Sequence, residues 1–282
     1  MDFSPKPRVH LSVSIVLHNS SLELLQRALQ SLHSSAQFAW EAGRLERVTV
    51  YLVDNSSEEA YRVRLDREMP GWPQSEFFTV LYSAQASNRG FGFGHNTVLP
   101  LLMSDFHLVL NPDVELEEDT LLVGLTSLLQ SDEIALTSPL VMGGNGEQEF
   151  LCKRYPSVLV LLLRGFAPRF VRRLFHQRLA AYEMRDVCSG ATQVNVTIAS
   201  GCFMLVRTKA LHAVSGFNDA FFLYFEDFDL SLRLAKQGRL VFDPAMRIVH
   251  HGGYAASKGW RHLAYFINSG VVFFNRHGWR WI

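Results

Sequence analysis

Short apolar runs bounded by turn residues recur through the first half of the chain, with stretches of helical periodicity between them. Leu11–Leu17 is the first apolar run, and a helical pattern follows over Leu22–Leu32. A strand is predicted at Val48–Val53, and another at Phe78–Tyr82 leads through a loop to a helix around Asn96–Met103. Then come a strand at Phe106–Leu110, a helix over Glu118–Gln130 and a strand at Ile134–Ser138. Strands alternating with helices predict βαβ units and an α/β fold built on a mostly parallel sheet. Such sheets bind ligands beyond the carboxyl ends of their strands. That rule selects four polar segments, each just past a predicted strand: His18-Asn19, Asp54-Asn55, Asn88-Arg89-Gly90 and Asn111-Pro112-Asp113.

Singly, each segment has a plainer reading. Asp54-Asn55-Ser56-Ser57 is also good turn and helix-cap chemistry. The stretch Asn88 to Asn96 brings glycines at 90, 92 and 94 into the start of a helix. Glycines there allow a phosphate or sugar to approach the backbone closely, but their spacing is neither a Walker loop nor the G-x-G-x-x-G fingerprint. Asn-Pro commonly starts a turn. Glu226-Asp227, predicted at a helix start, is favourable beside the helix dipole whatever its role.

Composition narrows the class. The chain has 282 residues, is 48% hydrophobic, and carries 27 Lys+Arg against 27 Asp+Glu. It can bury a substantial core, and zero formal charge argues against a general nucleic-acid binder. Cys152, Cys188 and Cys202 are odd in number and lack CxxC spacing, so they read as buried thiols. The first residues lack the layout of a secretory signal, which leads to an expectation of a cytoplasmic location.

Taken in order, the motifs resemble the family 2 glycosyltransferases. The carriers are Ser14 to Asn19, Val53 to Ser57, Asn88 to Asn96, Leu110 to Val114, Ser200 to Arg207, Gly216 to Phe222, Tyr224 to Arg233 and Val249 to Gly253. Within that family the chain looks most like the bacterial rhamnosyltransferase branch, over roughly residues 11 to 255. The resemblance implies a GT-A fold: a Rossmann-like nucleotide-binding half at about 9–140, an acceptor-binding half at about 141–255, and a helical extension over 256–282. It implies inverting transfer from a nucleotide sugar, with dTDP-rhamnose favoured over a UDP-sugar, to a cell-surface glycan or lipid-linked acceptor. A non-catalytic protein that binds sugar nucleotide or glycan is the competing class.

By position, Asp54 would meet the pyrimidine base and His18 with Asn19 would lie along the nucleoside. Asn88, Gly90, Phe91 and Gly92 would line the donor pocket, with Asn96 near the phosphates or sugar. Asn111 and Asp113 occupy the place of the family's Asp-x-Asp motif. The Asn substitution leaves Asp113, with His250 rather than His251, to ligate Mg²⁺ or Mn²⁺. Arg154 offers a cation to the donor diphosphate. Asp227 is the expected base and Glu226 its orienting neighbour, while Asp229 and Arg233 are expected to pair along the helix.

Residues 150 to 182 carry seven Lys and Arg without a single Asp or Glu, mixed with apolar residues. Such an element can lie on an anionic membrane surface, on the inner face of the cytoplasmic membrane in the expected location. It equally reads as a helix packed on the core with a solvated basic face. Trp260–Ile282, aromatic and basic, is expected to form a helix closing the acceptor side.

Overall fold

The computed structural model describes residues 8–252 and 260–282. Val9–Leu17 forms β1, and α1 (Leu22–Glu41) follows, with Ser21 capping it by accepting from the Leu24 N–H at 3.4 Å. The helix runs nine residues beyond the expected end at Leu32, because Ser35, Ala36 and Ala39 continue the buried stripe of Leu25, Ala28, Leu29 and Leu32. Small residues extend that face without announcing it in an apolar pattern. Next come β2 (Leu45–Asp54), α2 (Glu59–Glu68) and β3 (Phe78–Ala84).

Helix α3 spans Phe91–Asn96 rather than Asn96–Met103, where a 3₁₀ turn at Leu99–Leu101 carries Pro100. Glycine disfavours a helix by propensity. Here packing overrides propensity: a Cβ at Gly92 would stand 2.8 Å from Phe217 Cβ, and one at Gly94 2.8 Å from Val16. The middle of the chain supplies β4 (Phe106–Leu110), β5 (Val114–Leu116), α4 (Thr120–Gln130), β6 (Ile134–Gly143) and β7 (Gln148–Glu149). Four short helices follow: α5 (Val158–Phe166), α6 (Arg169–Leu174), α7 (His176–Tyr182) and α8 (Arg185–Cys188). Then come β8 (Val194–Asn195), β9 (Phe203–Arg207), α9 (Thr208–Ala213), α10 (Glu226–Leu234), β10 (Arg239–His250) and α11 (Trp260–His277).

Among the described residues the strands form one sheet, whose main path is β3-β2-β1-β4-β9-β6-β10-β5. The long pairings β2–β3, β1–β2, β1–β4 and β6–β10 are parallel. Strand β9 runs antiparallel to both β4 and β6. This reversal has a geometric effect: the carboxyl ends of β1, β2, β4 and β10 share one edge with the start of β9. One core lies between the sheet and α1 and α4, and a second on the opposite face under α3, α9 and α10. A third, aromatic cluster joins α10 to α11 through Phe221, Phe225, Phe273 and Phe274. Gly253 of the Val249–Gly253 motif and the expected boundary at 255–256 lie outside the described residues. No helix among the described residues is long and apolar enough to cross a membrane.

Candidate active site

Two cavities open along the shared sheet edge. The first, about 620 Å³, is lined by His18, Asn55, Asn88, Gly90 and Phe91, and from α11 by Trp260, His262 and Tyr265. Gly90 is required there. Its φ is +105°, and a Cβ would fall 2.3 Å from the Phe222 carbonyl oxygen, which accepts the Phe91 N–H at 3.1 Å. Asn55 holds the loop by donating to Gly90 O at 2.8 Å and to Asn88 Oδ1 at 3.0 Å. The same Asn88 oxygen accepts the Gly90 N–H.

Several expected donor contacts are committed elsewhere. Asp54 is fully buried, and its carboxylate accepts from Arg62 Nε at 2.7 Å, the Ser57 N–H at 2.8 Å and Tyr82 Oη at 3.1 Å. Burial would raise its pKa, but the bonds from Ser57, Arg62 and Tyr82 outweigh that and hold it below the usual carboxylate value. Asn19 ties the β1 and β2 loops, donating its N–H to Ser57 Oγ and accepting the Glu58 N–H. Gly92 faces Phe217. Asn96 spends its amide on the 217–219 turn, donating to Phe217 O and Asp219 and accepting the Phe217 N–H. Arg154 forms a two-pronged pair with Asp186 at 2.9 and 2.7 Å, and lines a smaller cavity with Arg178 and Arg280. His95, inside the glycine-rich motif, is buried and neutral, bonded to Ser14 Oγ and stacked on Phe217.

The second cavity, about 670 Å³, holds Glu226 and Asp227 against Tyr182, Phe225, Phe228 and Phe266. His262 lines both cavities, and its Nδ1 meets Tyr224 Oη at 3.0 Å. Asp227 is held in place by the Gly201 and Phe228 N–H groups, 3.0 and 2.9 Å from its two oxygens. Its pKa is raised, chiefly by desolvation, against the opposing pull of those bonds and of the Lys153 charge. Glu226 is 6% exposed and its Oε2 has no hydrogen-bond partner. Burial first, and the Asp227 charge second, push its carboxyl up to about 8. The proton of the pair therefore sits on Glu226, leaving Asp227 as the hydrogen-bonded anion.

The backbone ahead of this pair is strained. Tyr224 and Phe225 have φ of 69° and 64°, a left-handed conformation that bulky residues adopt only when packing imposes it. The imposing contacts come from α11: the Phe225 ring lies 5.1 Å from Phe266 and 5.3 Å from Phe273, and Ser269 Oγ donates to Leu223 O. The Asp229–Arg233 pair is present at 2.7 Å. Asp229 is fully buried and also bonds His277 Nε2 of α11 at 2.8 Å. Arg233 reaches on to the carbonyls of Val214 and Gly216.

At the ends of β4 and β10, Asp113 and His250 face each other, Oδ1 to Nε2 at 3.7 Å. Asn111 joins the edge through its N–H to Cys202 O. Asp113 Oδ1 is buried without a hydrogen-bond partner. His250 Nδ1 lies 3.0 Å from Glu149 Oε2, which fixes the ring with Nε2 turned toward Asp113. An orphaned carboxylate oxygen and an oriented imidazole nitrogen fit a divalent cation whose remaining ligands come from substrate phosphates. Among the described residues no group of three His, Cys, Asp or Glu side chains is gathered around one such point. His251 is engaged instead with Glu115, Nε2 to Oε1 at 2.6 Å. Sequence reasoning missed Glu149, Lys153, Tyr182 and His262. Only the topology brings those four beside the motifs.

No family model matches the chain. It is 26% identical over 250 residues to the N-acetylglucosaminyl-diphospho-decaprenol L-rhamnosyltransferase of Mycobacterium tuberculosis, covering 82% of this chain and 76% of that protein. It is also 26% identical over 173 residues to rhamnosyltransferase WbbL of Escherichia coli, covering 57% and 61%. Among solved structures, a Pyrobaculum calidifontis mannosyltransferase in complex with GDP-Man and Mn²⁺ matches at TM-score 0.63 and 15% identity, over 96% of this chain and 66% of that one. GalNAc-T7 with UDP, GalNAc and Mn²⁺ matches at TM-score 0.60 and 15% identity, over 87% of this chain but only 43% of that one. These structural likenesses bear on the fold, which is GT-A, and the two rhamnosyltransferases on the branch: the chain is rhamnosyltransferase-like and resembles the family 2 glycosyltransferases.

Proposed function

We propose that the protein transfers a sugar, L-rhamnose from dTDP-rhamnose, with inversion, to a glycan or lipid-linked acceptor while resting peripherally on a membrane. The observation that carries this reading is the pair of cavities meeting at His262, one floored by strand-end loops and the other holding Asp227. The first would take the donor, with the nucleoside along His18 and the Asn88–Phe91 loop. Asp54 and Asn19 serve that cavity by fixing the loop ends beneath it. The second would take the acceptor, its aromatic walls stacking on sugar faces.

Asp227 would accept the proton of the attacking hydroxyl. Two backbone N–H groups hold it ionised and aimed, while partial burial strengthens it as a base. Glu226, protonated at neutral pH, would donate a hydrogen bond to the acceptor and spare Asp227 a second negative charge at its side. Asp113 and His250 would hold Mg²⁺ or Mn²⁺, with Glu149 orienting His250. The cation, when bound, neutralises the charge that develops on the leaving diphosphate. The strained turn at Tyr224-Phe225 sets where Asp227 stands relative to the donor cavity.

The reading is tested by thermal shift with dTDP-rhamnose, UDP-sugars and GDP-mannose, each with Mg²⁺, Mn²⁺ or EDTA, because a ligand of the native state raises the melting temperature. A cation-dependent shift specific to dTDP-rhamnose is expected. A shift with UDP-sugars alone replaces the donor, and no shift with any sugar nucleotide overturns the reading.

A further inference from the structure

Helices α5 to α8 enclose a third cavity, about 480 Å³, walled by Arg164, Arg169, Arg172, Arg173, His176 and Arg185. Glu183 is the one carboxylate among the described residues that line it, and it is already committed, at 2.6 Å to Arg185 and 3.4 Å to Arg164. Arg169, Arg172 and Arg173 thus crowd together on one short helix with no carboxylate of the described residues to balance them. Like charges so placed repel unless an anion is shared among them. Guanidinium forks match phosphate oxygens two at a time.

Two further features say what kind of anion. Arg164 lines this cavity and the Asp227 cavity alike, so the two are neighbours along one surface. Beside the arginines stand Phe166, Phe170 and Leu174, exposed by 57, 68 and 78%. Helix α5 buries only Val160 and Leu163, so its apolar face is only partly covered by the core. A cation-lined hollow with an apolar rim on one side and a sugar-sized cavity on the other fits a molecule built in the order sugar, phosphate, lipid.

We propose that the α5–α8 cavity binds the diphosphate of a lipid-linked acceptor, whose sugar passes Arg164 to reach Asp227 and whose lipid lies against Phe166, Phe170 and Leu174. The inference rests on the lipid-linked acceptor of the proposed function. It adds the phosphate-reading residues. A diphosphate is favoured over a bilayer's single phosphodiester headgroups because three uncompensated arginines on one helix turn concentrate more charge than one headgroup neutralises.

The test is binding of the whole protein to phosphatidylcholine vesicles doped with a polyprenyl diphosphate, beside vesicles doped with the uncharged polyprenol or with phosphatidylglycerol at matched surface charge. Binding to the diphosphate vesicles is expected to exceed both controls. It should fall at least about tenfold in the double variant R172A/R173A, and recover only in part in R172K/R173K, which keeps charge but loses the fork. Both positions are exposed and lie outside the Asp227 cavity, so folding and the donor thermal shift should be unchanged. Equal binding to polyprenol vesicles, equal binding to phosphatidylglycerol vesicles, or an unchanged R172A/R173A overturns the proposal; the second result would mark a general anionic surface. Diphosphate-selective binding by a protein that shows no donor shift supports the phosphate site while sinking the donor assignment.

Discussion

Replacing Glu226 by Gln should make the protein more stable, and the gain should grow with pH. In the folded chain burial and the neighbouring Asp227 push the Glu226 carboxyl from 4.5 up to about 8. In the unfolded chain it ionises near the ordinary value. The native state therefore keeps a proton that the unfolded state has released, and stability contributed by this group is complete below about pH 4.5 and drains away as pH rises to 8. Each unit is worth about 1.4 kcal/mol, so the loss at pH 8 is on the order of 4 kcal/mol. Glutamine keeps the shape and cannot ionise. Urea midpoints of the two proteins, measured at half-unit steps between about pH 4.5 and 9, should converge at the acid end. They should separate steadily toward pH 8 and then run parallel as the native Glu226 ionises too. Other titrating groups cancel in the difference. Parallel curves across the whole range would refute the argument, because they would mean that Glu226 is ionised in the folded protein at neutral pH.

Asp227→Asn is expected to keep donor affinity in titration calorimetry while transfer falls by about a thousandfold or more; near-normal turnover would place the base elsewhere. Asp113→Ala or His250→Ala should abolish the cation dependence of donor binding. Glu149→Gln, which leaves the two proposed ligands in place, should weaken apparent cation affinity by about 10- to 100-fold, and unchanged affinity would remove Glu149 from the site. Gly90→Ala forces a Cβ to within 2.3 Å of Phe222 O at a φ of +105°, so a loss of at least about 2 kcal/mol is expected in chemical denaturation. Phe273→Ala should cost about 3–5 kcal/mol and also lower turnover, since it loosens the clamp on Phe225; a stable, fully active variant would contradict that coupling.

The alternation of strands and helices, and with it the sheet edge, was legible because it depends on local periodicity. The predicted bounds of β4 at Phe106–Leu110 match the structure, where all five residues are buried; the run is too short for a helix and is followed by Asn-Pro, which ends it. Helix α3 was misplaced because its glycines satisfy packing against Val16 and Phe217, contacts that no window of local sequence contains. The same limit applies to the site. Motif position named Asp54, Gly92, Asn96 and Arg154 as donor contacts, yet their partners Arg62, Phe217, Asp219 and Asp186 are visible only in three dimensions. Conversely, His262 lies more than thirty residues beyond Glu226-Asp227 in a helix whose sequence says only that it is aromatic and basic, and Glu149 belongs to a strand of two residues. Residues 150–182 read two ways in the sequence because their apolar side chains divide: Val160 and Leu163 pack inward while Phe170 and Leu174 are exposed.

The left-handed pair Tyr224-Phe225 has a bearing on how the protein should fail when heated. Each residue stores about 1 kcal/mol or more that is released if the turn relaxes to ordinary backbone. What opposes relaxation is the grip of one C-terminal helix on two rings, not the sheet. Local release of that helix needs far less energy than melting the core of β1, β2 and β4. Catalytic output should therefore decline several degrees before cooperative unfolding, with full recovery on cooling from that interval. A thermostability campaign scored only by melting temperature would reinforce the wrong part of the molecule, whereas tighter packing between α11 and Phe225 would widen the working range.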